Sequence, residues 1–455
     1  MGRLKILLMV LSVCIISNTV HSLQIVYPKS DNAAINSEST FFAGNESPDK
    51  HLEINSEQVK IHPSGGFFHP VKLNIGENLF NITDGEETQT YKITRLVHEV
   101  AAGPPGIITY QSPEIYLTDY EGAPLRATPI DAGLNRLQHL ERGIELNIIG
   151  EYGDFYKVRL ARDDYAWVRK SHVKKVSKYD NKPAKTEGFL YEQLPDKRIF
   201  IFRLNKKVPY ILYENNGLDL TVYNVEGFFE NKYEFHINQT GAMFGYKSYY
   251  KDNYNLVIEV KNFPQVDKQN PLKGLKIMID PGHGGDEYGA IGCLGGSEKD
   301  INLAISLKLK SLLEDTGANV LMTRDDDRTV SLEARAAGSK SADADLFISI
   351  HNNALPDSAA GSIRSGTSVY YFYNQSKSLG KSVLDSMVKE LGMKNDGLKA
   401  ESFAVIRNTE SPAILIEAGY MIMPDDNAKL VNPEFQYNAA RAIKQGLENY
   451  LNDFQ

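Results

Sequence analysis

An apolar run of strand length, Lys276 to Ile279, breaks at Asp280-Pro281-Gly282 and delivers His283 into a loop continued by Gly284 and Gly285. A strand that ends this way belongs to an open α/β sheet, where chemistry sits in the crevice at the carboxyl ends of the strands. Fifteen positions later, Glu298 stands at the expected start of a helix. A second strand, Leu346 to Ile350, runs into His351-Asn352-Asn353, and a third, Pro412 to Ile416, runs into Glu417. Two neutral imidazoles and one carboxylate, with a fourth position left for water, make the ligand set of a catalytic rather than a structural zinc. One Zn2+ is therefore expected on His283, Glu298 and His351.

Histidine usage sharpens this expectation. The chain has ten histidines, yet the region after Leu272 holds only His283 and His351. Each follows a separate strand and has small or polar neighbours, whereas a core histidine would have apolar ones. Glu298 also suits a first helical position for a plainer reason, because the helix dipole favours a carboxylate there. Asp280 and Asn353 are the natural acceptors for the free imidazole N–H groups, or else simply turn formers. Glu417, at the lip of a buried strand, is the candidate for proton transfer to and from a metal-activated water. The alternative is a fourth metal ligand, which would close the site.

These same residues carry a resemblance. Asp280 to Gly285, Ser297 to Leu303, Thr323-Arg324, Ser349 to Ala354 and Pro412 to Gly419 occur in the order found in zinc-dependent N-acetylmuramoyl-L-alanine amidases of the bacterial cell-wall amidase 3 family. From Leu275 onward the chain resembles that family. The resemblance implies cleavage of peptidoglycan between the lactyl group of N-acetylmuramic acid and L-alanine, and it supports Glu298 as a ligand. Arg324, Arg328 and Arg335 also match; they would bind substrate carboxylates or pair with Asp325, Asp326, Asp327 or Glu333. Met421 to Asp425 departs from the family pattern, a difference expected to touch substrate grip. The stretch from Ala354 to Thr367 is too short for the plugging helix that some members carry, so no obligate activator is expected. A zinc peptidase acting within the stem peptide and a non-catalytic wall-binding adaptor are the competing readings.

The rest of the chain reads as β structure. Its 455 residues exceed one core, at a rough ~150 residues per domain. Residues 1–22 have the layout of a secretory signal peptide: Arg3 and Lys5 precede an apolar run to Ile16, and small residues follow near Ser22. An uncleaved anchor is the alternative. No later stretch is long and apolar enough to span a bilayer. The expected protein is exported, to a periplasm or to the extracellular cell wall, and has no integral membrane segment once the signal is removed. Cys14 would leave with the signal, and Cys293 reads as a small loop residue. A net charge of −8 argues against a nucleic-acid partner, which calls for a basic surface.

Residues 23–100 alternate in short runs such as Asn78 to Ile82 and resemble an Ig-like β-sandwich. Ala101 to Gly106 reads as a linker. Residues 107–178 resemble a bacterial SH3-like barrel, with Phe155, Lys157 and Arg159 alternating with Tyr156, Val158 and Leu160. Trp167, the single tryptophan, is either barrel core or a platform for wall material. Val173 to Lys185 reads as a second linker, and residues 186–266 resemble, more faintly, an AMIN-like β domain. Residues 272–455 alternate strands and helices. The expected fold is thus three small all-β domains followed by an α/β catalytic domain, its mixed or mostly parallel sheet flanked by helices.

Overall fold

The computed structural model describes residues 22–96, 108–177, 182–239, 241–252, 254–356 and 364–454. The expected signal, apart from its last residue, and the Ala101–Gly106 linker lie outside them.

Ahead of the α/β part the chain is all β. First comes a sandwich: a three-stranded sheet containing Ser39–Asn45 and a five-stranded sheet containing Gly76–Thr83. Phe80 and Ile82 point inward with period two and meet Phe42, Phe67 and Ile93. A seven-stranded antiparallel sheet follows, from Thr109–Thr118 to Val173–Lys175. This last strand pairs with the first, so the expected linker at 173–185 begins as part of the sheet. Trp167 is buried, with its ring against Tyr152. Four- and three-stranded sheets between Thr186 and Lys261 form the third β unit. The second and third units share one apolar core, in which Leu146 and Ile148 belong with Leu220 and Ile258. The Glu141 carboxylate reinforces the join by accepting the Tyr250 N–H at 2.7 Å.

The α/β part consists of β1 (Lys276–Pro281), α1 (Glu298–Glu314), β2 (Asn319–Met322), α2 (Leu332–Ser341), β3 (Leu346–Asn353), β4 (Thr367–Tyr371), α3 (Lys377–Leu391), β5 (Asn395–Ala400), β6 (Ala413–Tyr420), α4 (Pro424–Leu430) and α5 (Pro433–Asn452). The strand order is β2-β1-β3-β6-β4-β5. All neighbours are parallel except β6 and β4, which run antiparallel. β1, β3 and β6 are continuous apolar runs because both faces of the sheet are covered. Ile277, Ile348 and Ile416 pack under α1, α3 and α5 through Leu309, Val383 and Ile443. On the other face Met278, Phe347 and Leu415 meet Ile406 and the end of α2 at Ala342.

Two elements escaped the sequence reading. β5 is an edge strand, Asn395 to Ala400, with little apolar content. α4 is short and opens with Pro424, Asp425 and Asp426, the proline-plus-acid start of a helix. At the start of α1 the Ser297 hydroxyl bonds Asp300 at 2.5 Å and caps no backbone N–H.

The N-terminal sandwich docks on the α/β part. Tyr27, Phe41 and Phe68 stack, with Tyr27–Phe41 centroids 4.3 Å apart, and they cover Leu355, Tyr420, Ile422 and Met423. Asn45 donates to the Cys293 carbonyl at 2.9 Å, and His62 meets Asp425 at 2.7 Å. The segment Met421 to Asp425, which departs from the family pattern, thus serves as a docking surface.

Candidate metal centre

His283, Glu298 and His351 come together at the carboxyl end of the sheet. Their candidate ligand atoms all lie within 4.8 Å of one another, and the three could hold a metal ion. Glu298 Oε1 sits 3.3 Å from His283 Nε2 and 3.0 Å from His351 Nδ1, and the two rings meet edge to face at 4.9 Å. Glu417 is not a member of this group. It lies beside His351 in register, on the neighbouring parallel strand.

Each donor has a structural reason for its position. His283 follows β1 with φ 59°, the left-handed region that non-glycine residues adopt rarely. Arg335 holds that turn by donating to the His283 carbonyl at 2.7 Å, to the Pro281 carbonyl and to the Asp280 carboxylate. Arg324, fully buried, donates to the carbonyls of Pro281, Gly282 and Lys299, tying the loop to the start of α1. Gly282 and Gly289 supply the room. A Cβ on Gly282 would come 2.2 Å from the His351 ring, and one on Gly289 would come 2.5 Å from Glu298 Oε2.

The Glu298 carboxylate is buried at 4% exposure and saturated with donors. It accepts the N–H of Ala290 at 2.9 Å and of Asn352 at 3.2 Å, and the Asn302 amide at 3.4 Å. Burial opposes its ionisation, but hydrogen bonds from His283 and His351 prevail and hold its pKa well below the usual carboxylate range. Glu417 behaves in the opposite way. Burial first, then the negative charge of Glu298, raise its pKa well above the ordinary value, while Lys399 partly offsets them. Glu417 Oε2 is buried with no hydrogen-bond partner. The surroundings thus push the two carboxyl groups in opposite directions.

Several expected roles change. Neither imidazole bonds Asp280, whose carboxylate is taken by Thr323, Arg335 and Ser349. Asn353 makes no side-chain bond to either imidazole either; its carbonyl accepts the Met421 N–H. Asn302 and Asn352 take the supporting role instead, linked to each other at 2.7 Å, with Asn302 also bound to the Gly282 carbonyl. Asn302 lies one helical turn after Glu298, a spacing that could have revealed it. Arg324 is enclosed and supports the loop, so it is not a substrate-facing cation. Arg328 pairs with Asp325 and Asp326 on the surface, as one of the two readings had it. Cys293 is buried and its thiol is pushed up to about 12 by burial, in keeping with a packing residue.

Residues 277–449 match the family model described as N-acetylmuramoyl-L-alanine amidase. The probable cell wall amidase LytH of Staphylococcus epidermidis is 34% identical over 216 residues, covering 47% of this chain and 69% of LytH. The chain belongs to the N-acetylmuramoyl-L-alanine amidase family. The YqiI protein of Bacillus subtilis is 37% identical to this amidase over 187 residues, 41% of this chain and 90% of YqiI. Among solved structures, the amidase AmiC2 of Nostoc punctiforme is 34% identical with a TM-score of 0.37, covering 41% of this chain and 99% of that one. The catalytic domain of CwlV from Bacillus (Paenibacillus) polymyxa is 33% identical with a TM-score of 0.37, covering 40% and 99%. This amidase is therefore a cell-wall hydrolase, its matched part beginning at β1.

Proposed function

We propose that the amidase binds one zinc ion through His283, Glu298 and His351 and cleaves the amide between the lactyl group of N-acetylmuramic acid and L-alanine. The observation that carries this reading is the convergence of two imidazoles on a fully supported carboxylate, with the unpartnered Glu417 carboxyl on the strand beside them. Glu298 Oε1 lies 3.3 Å from His283 Nε2 and 3.0 Å from His351 Nδ1, and these two imidazoles and the carboxylate would hold the ion. When bound, zinc supplies Lewis acidity toward the scissile carbonyl and lowers the pKa of a water molecule.

The chain's own residues do the rest. Glu298 brings negative charge to balance the ion, and Asn302, Asn352 and the Ala290 N–H fix its orientation. Glu417 moves the proton. In its ionised form it accepts one from the attacking water, and its raised pKa lets it keep that proton until the amine nitrogen leaves. The substrate is the peptidoglycan of the cell envelope, the compartment that fits a family member preceded by an export signal. The β units ahead of β1 are proposed as an Ig-like sandwich (23–100), an SH3-like barrel (107–178) and an AMIN-like domain (186–266), with the catalytic unit at 272–455.

Mass spectrometry of purified peptidoglycan digested by the protein tests the bond assignment. Intact stem peptides beginning with free L-alanine are expected, and a chelator should abolish them. Fragments cut within the stem would make the protein a peptidase instead.

A further inference from the structure

Away from the metal centre, the second and third β units and the α/β part meet around a cavity of about 250 Å³. Arg136 and His139 line it from the seven-stranded sheet, Glu214 and Tyr246 from the third β unit, and Tyr373 and Thr409 from the α/β part. Two of these walls carry ionisable groups of opposite sign that do not pair with each other. Arg136 Nε is buried without a hydrogen-bond partner, and Nη1 meets only His139 Nε2, at 3.1 Å. His139 is itself held neutral at pH 7: burial, then the charges of Arg136 and Arg407, lower its pKa to about 4. Glu214 accepts the Gln375 N–H on one oxygen at 2.8 Å. Its other oxygen, Oε1, is buried with no partner in hydrogen-bond geometry, although the Tyr246 hydroxyl and the Asn374 N–H interact with the carboxyl group. Neither Arg136 nor Glu214 enters an ion pair among the described residues, whereas nearby Arg126 is matched by Asp131 at 2.8 Å.

A buried donor and a buried acceptor left unsatisfied at one cavity are costly and call for an explanation. Because the two groups share the cavity without pairing, a ligand that completes both carries both signs, its ammonium favouring the ionised form of Glu214. We propose that this junction binds a small zwitterion, a free amino acid or a dipeptide, with its carboxylate on Arg136 and its ammonium on Glu214. A simple anion would leave Glu214 unmatched, and a simple cation would leave Arg136 so. The size agrees, since drug-sized ligands occupy pockets of roughly 300–1,000 Å³ and this one is smaller. Burial raises the Glu214 carboxyl to about 7, the behaviour of an acid with no counter-ion, and an ammonium group would reverse that shift. An occupant would also tie three parts of the chain together. Its source is the surroundings, because the proposed reaction releases intact stem peptides, which are longer than a dipeptide.

Isothermal titration of the full chain with L-alanine, L-alanyl-L-alanine, propionate and ethylamine tests the site. Saturable binding of at least one zwitterion is expected, at least tenfold tighter than of propionate or ethylamine. Arg136→Met and Glu214→Gln should each weaken it at least tenfold, while Glu417→Gln and chelator treatment leave it unchanged, which separates this site from the metal centre. Stronger binding of alanine marks a free amino acid as the occupant, and stronger binding of L-alanyl-L-alanine marks a dipeptide. Absence of saturable binding by either zwitterion overturns the proposal, as does equal binding of propionate or binding within twofold of the original in both variants. If either variant fails to fold, the comparison of the four compounds on the unaltered chain decides.

Discussion

Gly282 lies directly beneath the His351 imidazole, so that a single added methyl group would sit 2.2 Å from the ring. Backbone and ring cannot both keep their places with a side chain there, because packed interiors have no slack of that size. Gly282→Ala should therefore displace His351 and weaken metal binding at least tenfold. Metal content after dialysis, beside an unchanged circular dichroism spectrum, checks this. Full metal retention would show that the ring is free to move.

Asp280 and Arg335 form a buried ion pair at 2.8 Å, with 0% and 3% of their side chains exposed. Arg335→Leu strands the aspartate and releases the His283 carbonyl, and breaking such a pair from one side costs about 3–5 kcal/mol. Denaturant unfolding should show a loss of that order, with Asp280→Asn milder because Thr323 and Ser349 can still bond the amide. A loss under 1 kcal/mol in Arg335→Leu would contradict the pairing.

The sequence made the candidate metal-binding trio legible because each residue follows a short, uninterrupted signal: an apolar strand ending in His283 or His351, or a helix start at Glu298. The sheet was legible for the same reason, since β1, β3 and β6 are buried on both faces. What supports the site was harder to read. Asp280 looked like a partner for an imidazole, and only the fold reveals that Arg335, 55 positions later, takes it instead. Asn302 and Asn352 come together across α1 and β3, a pairing no local pattern announces. β5 lacks apolar periodicity because it is an edge strand, and the docking of Phe41 on Met423 depends on surfaces far apart in the chain.

Docking of the N-terminal sandwich rests on Phe41, which is 1% exposed between Tyr27 and Phe68 on one side and Tyr420, Ile422 and Met423 on the other. Truncating a buried phenylalanine costs about 3–5 kcal/mol. In Phe41→Ala, calorimetry should resolve a separate, earlier transition for the sandwich. Coincident melting of all parts would mean that the contact contributes little.

Glu214 gives a pH signature. Its carboxyl is raised to about 7 in the folded protein by burial, against an ordinary value of about 4.3. The folded state thus binds more protons than the unfolded state between those values, so the contribution is fully favourable below about 4.3 and is lost as pH rises through about 7. Glu214→Gln removes this dependence. It should match the original protein near pH 4.5 and exceed it in stability by up to about 3 kcal/mol at pH 8, read by denaturant midpoints. A difference that stays constant across that range would contradict the assignment.

The most direct test of the account is Glu417→Gln, assayed together for metal and for turnover. Glutamine fills the same space without taking a proton, so zinc content should remain one per chain while release of stem peptide from peptidoglycan falls by about 10²–10⁴-fold, the usual worth of a general acid–base group. Undiminished turnover in that variant, or loss of the zinc along with the activity, would contradict it.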